Sequence, residues 1–211
     1  MPKTIRNCFY QKLSFSKLMS AYKRARKNKV YKDEVIKFEF NLENNITNLE
    51  NNIRNKKYRL GQYFSFKIYE PKERIICALP FIDRIVHQWY VEEFIKPYIV
   101  PKFISTSFAC LKDKGTHKAV CQVQKYMRIY QRTQNNFWIL KCDISKFFYS
   151  IDPAILFKIM KKYIKDKDLL DFTKIIIFDR KTNINELRYS YWKLYFSIFC
   201  KYIFKRIRPI H

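Results

Sequence analysis

The stretch Phe137–Asp152, FWILKCDISKFFYSID, decides the fold. It opens with the apolar run Phe137 to Leu140, which reads as a core strand, and it closes on the aromatics Phe147, Phe148 and Tyr149. Pro153, a favoured first-turn residue, then starts a helix that runs to about Tyr163. A further apolar helical stretch, LLDFTKIIIF, ends near Phe178.

Upstream, residues 14 to 28 read as a basic amphipathic helix, and Leu42, Ile46, Leu49 and Ile53 recur at helical spacing on a second one. In KKYRLGQYFSFKIYEPKERIICALP, Tyr63, Ser65, Lys67 and Tyr69 alternate with Phe64, Phe66 and Ile68, the period of a strand. EPKER interrupts and Ile75 to Leu79 resume the extended pattern, which predicts a hairpin with a basic tip. From Asp83 to Ile99 the period is helical until Pro97, near which the helix should bend or end. The loop PKFISTSFACLKDKGTHKAV leads into another helix reaching about Gln131. This order of elements predicts an α+β fold.

Composition narrows the partners. The chain has 43 Lys and Arg against 18 Asp and Glu, a net charge of +25 spread along 211 residues. Such a surface seeks a polyanion, although an A/T-rich gene would also enrich Lys, Asn, Ile, Tyr and Phe in a merely basic protein. With 48% hydrophobic residues and only 2 Gly, the chain can bury a core. The six cysteines include no C-x-x-C pair and no His at finger-like spacing, which argues against structural zinc and for reduced thiols. The N-terminus lacks a signal-peptide apolar region and no long uncharged apolar run exists, so a cytoplasmic protein without membrane spans is expected.

Asp143 carries the chemistry. A carboxylate at the end of a core strand is costly unless a cation or hydrogen-bond donors meet it. Nucleotidyl transfer uses such carboxylates to hold two Mg2+ ions about 3.5–4 Å apart, which activate the attacking hydroxyl and stabilise the leaving pyrophosphate. Capping of the following turn, or pairing with a lysine, is the structural alternative.

CDISKFFYSID resembles the first palm motif of bacterial reverse transcriptases of the group II intron, retron and diversity-generating type, a D-[IL]-x-x-F-F-x-S-[IV]-D run. The resemblance implies that Asp143 is a catalytic metal ligand and that the backbone at Ile144 and Ser145 approaches the triphosphate. Phe148 would lie beneath the sugar and exclude a 2′-hydroxyl; ordinary core packing is the alternative for Phe147 and Phe148. YEPKERIICALPFIDRIVHQWYVEEFIKPYI is similar to the fingers hairpin and following helix of the same family, which puts Lys72 and Arg74 over the nucleotide phosphates. A solvated turn is their alternative. Asp83 and Arg84 match a D-R pair that reads as fold-stabilising, and His87 reads as a packed helix residue. Tyr63, Phe64 and Tyr69 could stack on single-stranded bases or serve strand packing.

FISTSFACLKDKGTHKAV is similar to the next fingers motif, S-x-A-C-R-x-G-x-G-T-H-x-A, through Ser107, Ala109, Cys110, Gly115, Thr116, His117 and Ala119. Two positions depart: Leu111 stands where relatives carry an Arg, and Asp113 where they carry a Gly. The implied architecture is the fingers and first part of the palm of a right-hand polymerase. Residues 1–55 form a basic helical extension, 56–137 the fingers, 138–180 the start of the palm and 181–211 an aberrant tail. The implied cofactor is Mg2+, and the implied partners are an RNA template, a DNA primer and dNTPs.

The family continues with G-[IL]-P-[IL]-G-N-x-T-S-Q and then Y-x-D-D. Neither is present, and no Asp-Asp dipeptide occurs. Residues 188–211 read RYSYWKLYFSIFCKYIFKRIRPIH instead. Back-translated with suitable third bases and read from the second base of the Arg188 codon, they give GIPIGNYTSQYFANIYLNELDQF. First and second codon bases are almost fixed by the residues present, so the match predicts a frameshift near Arg188. A chain truncated in this way is expected to lack polymerase activity on its own, and a non-catalytic basic RNA-binding module is the alternative.

Overall fold

Ser14 opens the first helix, its hydroxyl accepting from Lys17 N at 3.4 Å, a standard N-cap arrangement. Helix α1 (Phe15–Arg26) follows with Leu18, Ala21, Tyr22 and Ala25 buried along one stripe. The computed structural model describes residues 4–69, 73–109, 111–133, 138–143 and 152–178. The chain divides into two compact units, Met1–Lys102 with Ile151–Tyr191, and Phe103–Ser150 with Trp192–His211.

In the first unit, α1 is followed by α2 (Asp33–Glu39) and α3 (Leu42–Arg54). On α3, Ile46, Leu49 and Ile53 are buried, as their spacing predicts. Strands β1 (Phe64–Ile68) and β2 (Arg74–Ala78) pair antiparallel with Phe64 opposite Ala78 and Ile68 opposite Arg74. Helix α4 (Phe81–Tyr90) then runs into a π-helical turn, Val91–Ile95, and a short α5 (Lys96–Tyr98). The expected bend near Pro97 is thus prepared by a wide turn just before it.

After the second unit the chain returns as α7 (Pro153–Tyr163) and α8 (Lys167–Phe178). Asp152 caps α7 by accepting from Ala154 N at 2.7 Å, and Pro153 holds the first turn. The core is aromatic, with Trp89 5.6 Å from Phe172, 5.4 Å from Phe94 and 5.9 Å from Phe9, ring centroid to centroid. Edge-on and tilted ring pairs of this kind add about 0.5–1.5 kcal/mol beyond their burial.

Buried Asp166 closes the unit. One carboxylate oxygen accepts from Leu169 N at 3.1 Å and caps α8; the other accepts from Cys8 N at 2.8 Å and Phe9 N at 3.0 Å. Ile5 bridges to Ile164 beside it, so the N-terminal segment is tied to the α7–α8 connection.

The second unit contains α6 (Thr116–Thr133), which starts after turns at Ser107 and Lys114. None of its residues is buried. The core strand expected at Phe137–Leu140 does not appear in the described part of that stretch: Trp138, Ile139 and Leu140 have no strand pairing, and Trp138 is 98% exposed. An apolar run becomes a core strand only where neighbouring strands pair with it. Across the described residues the fold is mixed α and β, and no helix among them is long and apolar enough to cross a membrane.

Candidate nucleic-acid interface

The β1–β2 hairpin stands out from the first unit with every residue of β1 exposed. Alternation places Phe64 and Phe66 on one face, at 49% and 47% exposure. Their rings lie side by side, centroids 6.4 Å apart and planes inclined by 23°. On the other face Lys67 pairs with Glu73 at 2.7 Å, and Tyr69 is exposed near the tip. The strand-packing alternative for Phe64 and Tyr69 therefore fails: half-exposed rings on a two-stranded ribbon have no second layer to pack into.

The base of the hairpin is fixed by Asp83. This side chain is 1% exposed; it accepts from the Tyr58 hydroxyl at 2.6 Å and from Gly61 N at 3.1 Å. A Cβ at Gly61 would lie 2.8 Å from both Asp83 Oδ2 and Pro80 Cγ, so glycine permits the close approach. Arg84 donates from Nε to Leu79 O at 3.0 Å and pairs with Glu34 on α2. Both residues thus join the hairpin and α2 to α4, in keeping with the fold-stabilising reading of the D-R pair. His87 is buried on the same helix, and burial pushes its imidazole down to about 4.

Acidic side chains are taken up internally. Lys17 holds Glu93 at 2.9 Å, Arg26 holds Glu39 at 2.7 Å, and Lys56 holds Asp168 at 2.6 Å. The cationic surplus is left on the surface: Lys23 and Lys27 on and after α1, Lys158, Lys161 and Lys162 on α7, and Lys118, Lys125 and Arg132 on α6 are exposed.

Of the residues singled out for nucleotide chemistry, Arg74 opens β2 opposite Ile68. Lys72, Ile144, Ser145, Phe148 and Cys110 lie outside the described residues. Asp143 is described and exposed, which corrects the expectation of a carboxylate enclosed in a core strand. Among the described residues no three His, Cys, Asp or Glu side chains converge on a point. The ligand set a Mg2+ ion needs is not assembled there, and no chemical step is derived through one.

The second fingers motif keeps its backbone character despite its departures. Asp113, at the position where relatives carry Gly, has φ 58°, and Gly115 has φ 145°. Asp is among the few side chains that enter the left-handed region readily.

Phe66 was missed in reading the stacking candidates, although its alternation with Phe64 marks it as a partner on the same face. The Tyr58–Asp83 contact has no sequence signal, because the two residues meet only when the chain folds back on α4. No family model matches this chain, and no curated protein matches its sequence.

Proposed function

We propose that this chain is the fingers and opening palm of a reverse transcriptase, an RNA-directed DNA polymerase, in a truncated form that holds single-stranded nucleic acid without polymerising on its own. The carrying observation is the hairpin: two parallel exposed rings, Phe64 and Phe66, on a ribbon clamped by Asp83, in a chain of net charge +25. Aromatic rings stack on bases of any identity, and surplus lysines hold the phosphates between them. The ordered resemblance of three motifs around Arg74, Gly115 and Asp143 supports the polymerase lineage.

A non-catalytic RNA-binding module is the second reading, favoured by the exposed setting of Asp143. Positioned metals supply most of the catalysis of phosphoryl transfer, and a single carboxylate does not hold two of them. The deciding experiment is primer extension on an RNA template with Mg2+ and dNTPs, this chain beside a version with the second-base frame restored at codon 188 and continued downstream. Incorporation only by the restored protein is the expected result. Incorporation by neither leaves the binding module, and incorporation by the short chain overturns the metal argument.

A further inference from the structure

Helix α6 is amphipathic and none of its residues is buried. Thr116, Val120, Val123, Met127 and Tyr130 recur at steps of four, three, four and three, which is one stripe on a helix. Val120, Val123 and Tyr130 are 48%, 51% and 54% exposed. Lys118, Lys125 and Arg132 recur every seven residues and lie on the opposite side of the helix, clear of the stripe. An 18-residue helix is marginal without a packed face, so a stripe of this kind is built to be covered.

We infer that the α6 stripe is the docking face for the segment GIPIGNYTSQYFANIYLNELDQF, encoded in the second-base frame of codons 188–211; this rests on the reverse transcriptase reading. Two properties of that segment fit. After a Gly-Pro-Gly opening and a Thr-Ser start signal, its Phe, Tyr, Leu and Phe recur at steps of four, four and three, an apolar stripe that can lie along the one on α6. Its only charged residues are one Glu and one Asp. A second copy of this chain, the other candidate occupant, brings another +25 and is repelled. The residues the gene reads in frame, RYSYWKLYFSIFCKYIFKRIRPIH, are basic and show neither the turn nor the stripe.

The test titrates the full chain into the fluorescein-labelled synthetic 23-mer and reads anisotropy at 0.3 M salt, where bulk charge attraction is screened. A scrambled peptide of the same composition runs in parallel, as do the variants Val123→Asp on the stripe and Lys125→Ala on the opposite side. Saturable binding that Val123→Asp weakens at least tenfold, that Lys125→Ala leaves within twofold and that the scrambled peptide lacks is the expected result. Equal binding of the scrambled peptide, indifference to Val123→Asp, or no binding overturns the inference. So does self-association of the chain that Val123→Asp abolishes, since the stripe then belongs to a second copy. Thermal melting of both variants shows that they fold. Single-stranded RNA binding measured on the same samples separates the two levels: RNA bound without peptide refutes the docking face alone, and neither bound refutes the polymerase reading as well.

Discussion

Two aspartates show how one residue type takes opposite fates. Asp83 lies on a helix, buried with two donors, and organises the hairpin base; Asp143 ends an apolar run and stands exposed. His87 on the same helix makes a pH-dependent prediction. Burial holds its folded-state pKa at about 4, below the ordinary 6.5 of the unfolded chain. Between those values the unfolded state binds more protons, so stability is complete above pH 6.5 and is lost as pH falls toward 4, by an amount on the order of 3 kcal/mol. His87→Leu removes the group that titrates, and its urea midpoint should fall less over that range than the parent's. Parallel midpoint curves for the two proteins would refute the assignment. That His87 packs in a helix was legible from the apolar period around it. The Asp143 reading went astray because a sequence shows an apolar run but not whether strands exist beside it.

At the level of elements, the hairpin separates binding from folding. Phe64 and Phe66 sit on a ribbon face with about half their surface in water, so their packing contribution is small, whereas each base stacked on an aromatic ring is worth about 1–3 kcal/mol. The double variant Phe64→Ala, Phe66→Ala should keep its melting temperature within a few degrees and lose at least tenfold in affinity for a single-stranded oligonucleotide. A large drop in melting temperature would show that the rings belong to a core after all. Elements with punctuation were legible: α7 starts at Pro153 and ends at Tyr163, as its Asp-Pro start and apolar period foretold. The seven-residue α2 was not, because two turns with Val35 as the buried residue display no period. The π turn at Val91–Ile95 left no mark either, since one extra residue in a turn leaves local composition unchanged.

For the whole molecule, charge is the property that sequence alone carries into function. The net +25 survives folding as surface charge, because the acids form ion pairs within the fold while lysines of α1, α6 and α7 remain exposed. Exposed ion pairs add little stability, so their main effect here is to leave a surface of one sign. That surface binds a polyanion by releasing counterions, and each phosphate of a single strand adds about 0.7 to the slope of log affinity against log salt. Contact with about six phosphates predicts a slope near −4, hence roughly a 300-fold loss of affinity between 50 and 200 mM salt. Fluorescence anisotropy with a labelled single-stranded RNA at several salt concentrations reads this directly. The double alanine variant of β1 should bind more weakly at every salt concentration yet keep the same slope, because stacking releases no counterions. A variant replacing Lys158, Lys161 and Lys162 by Gln should flatten the slope if α7 lies along the strand. A flat slope for the parent chain would mean that the surplus charge serves solubility alone and would remove the electrostatic basis of the nucleic-acid reading.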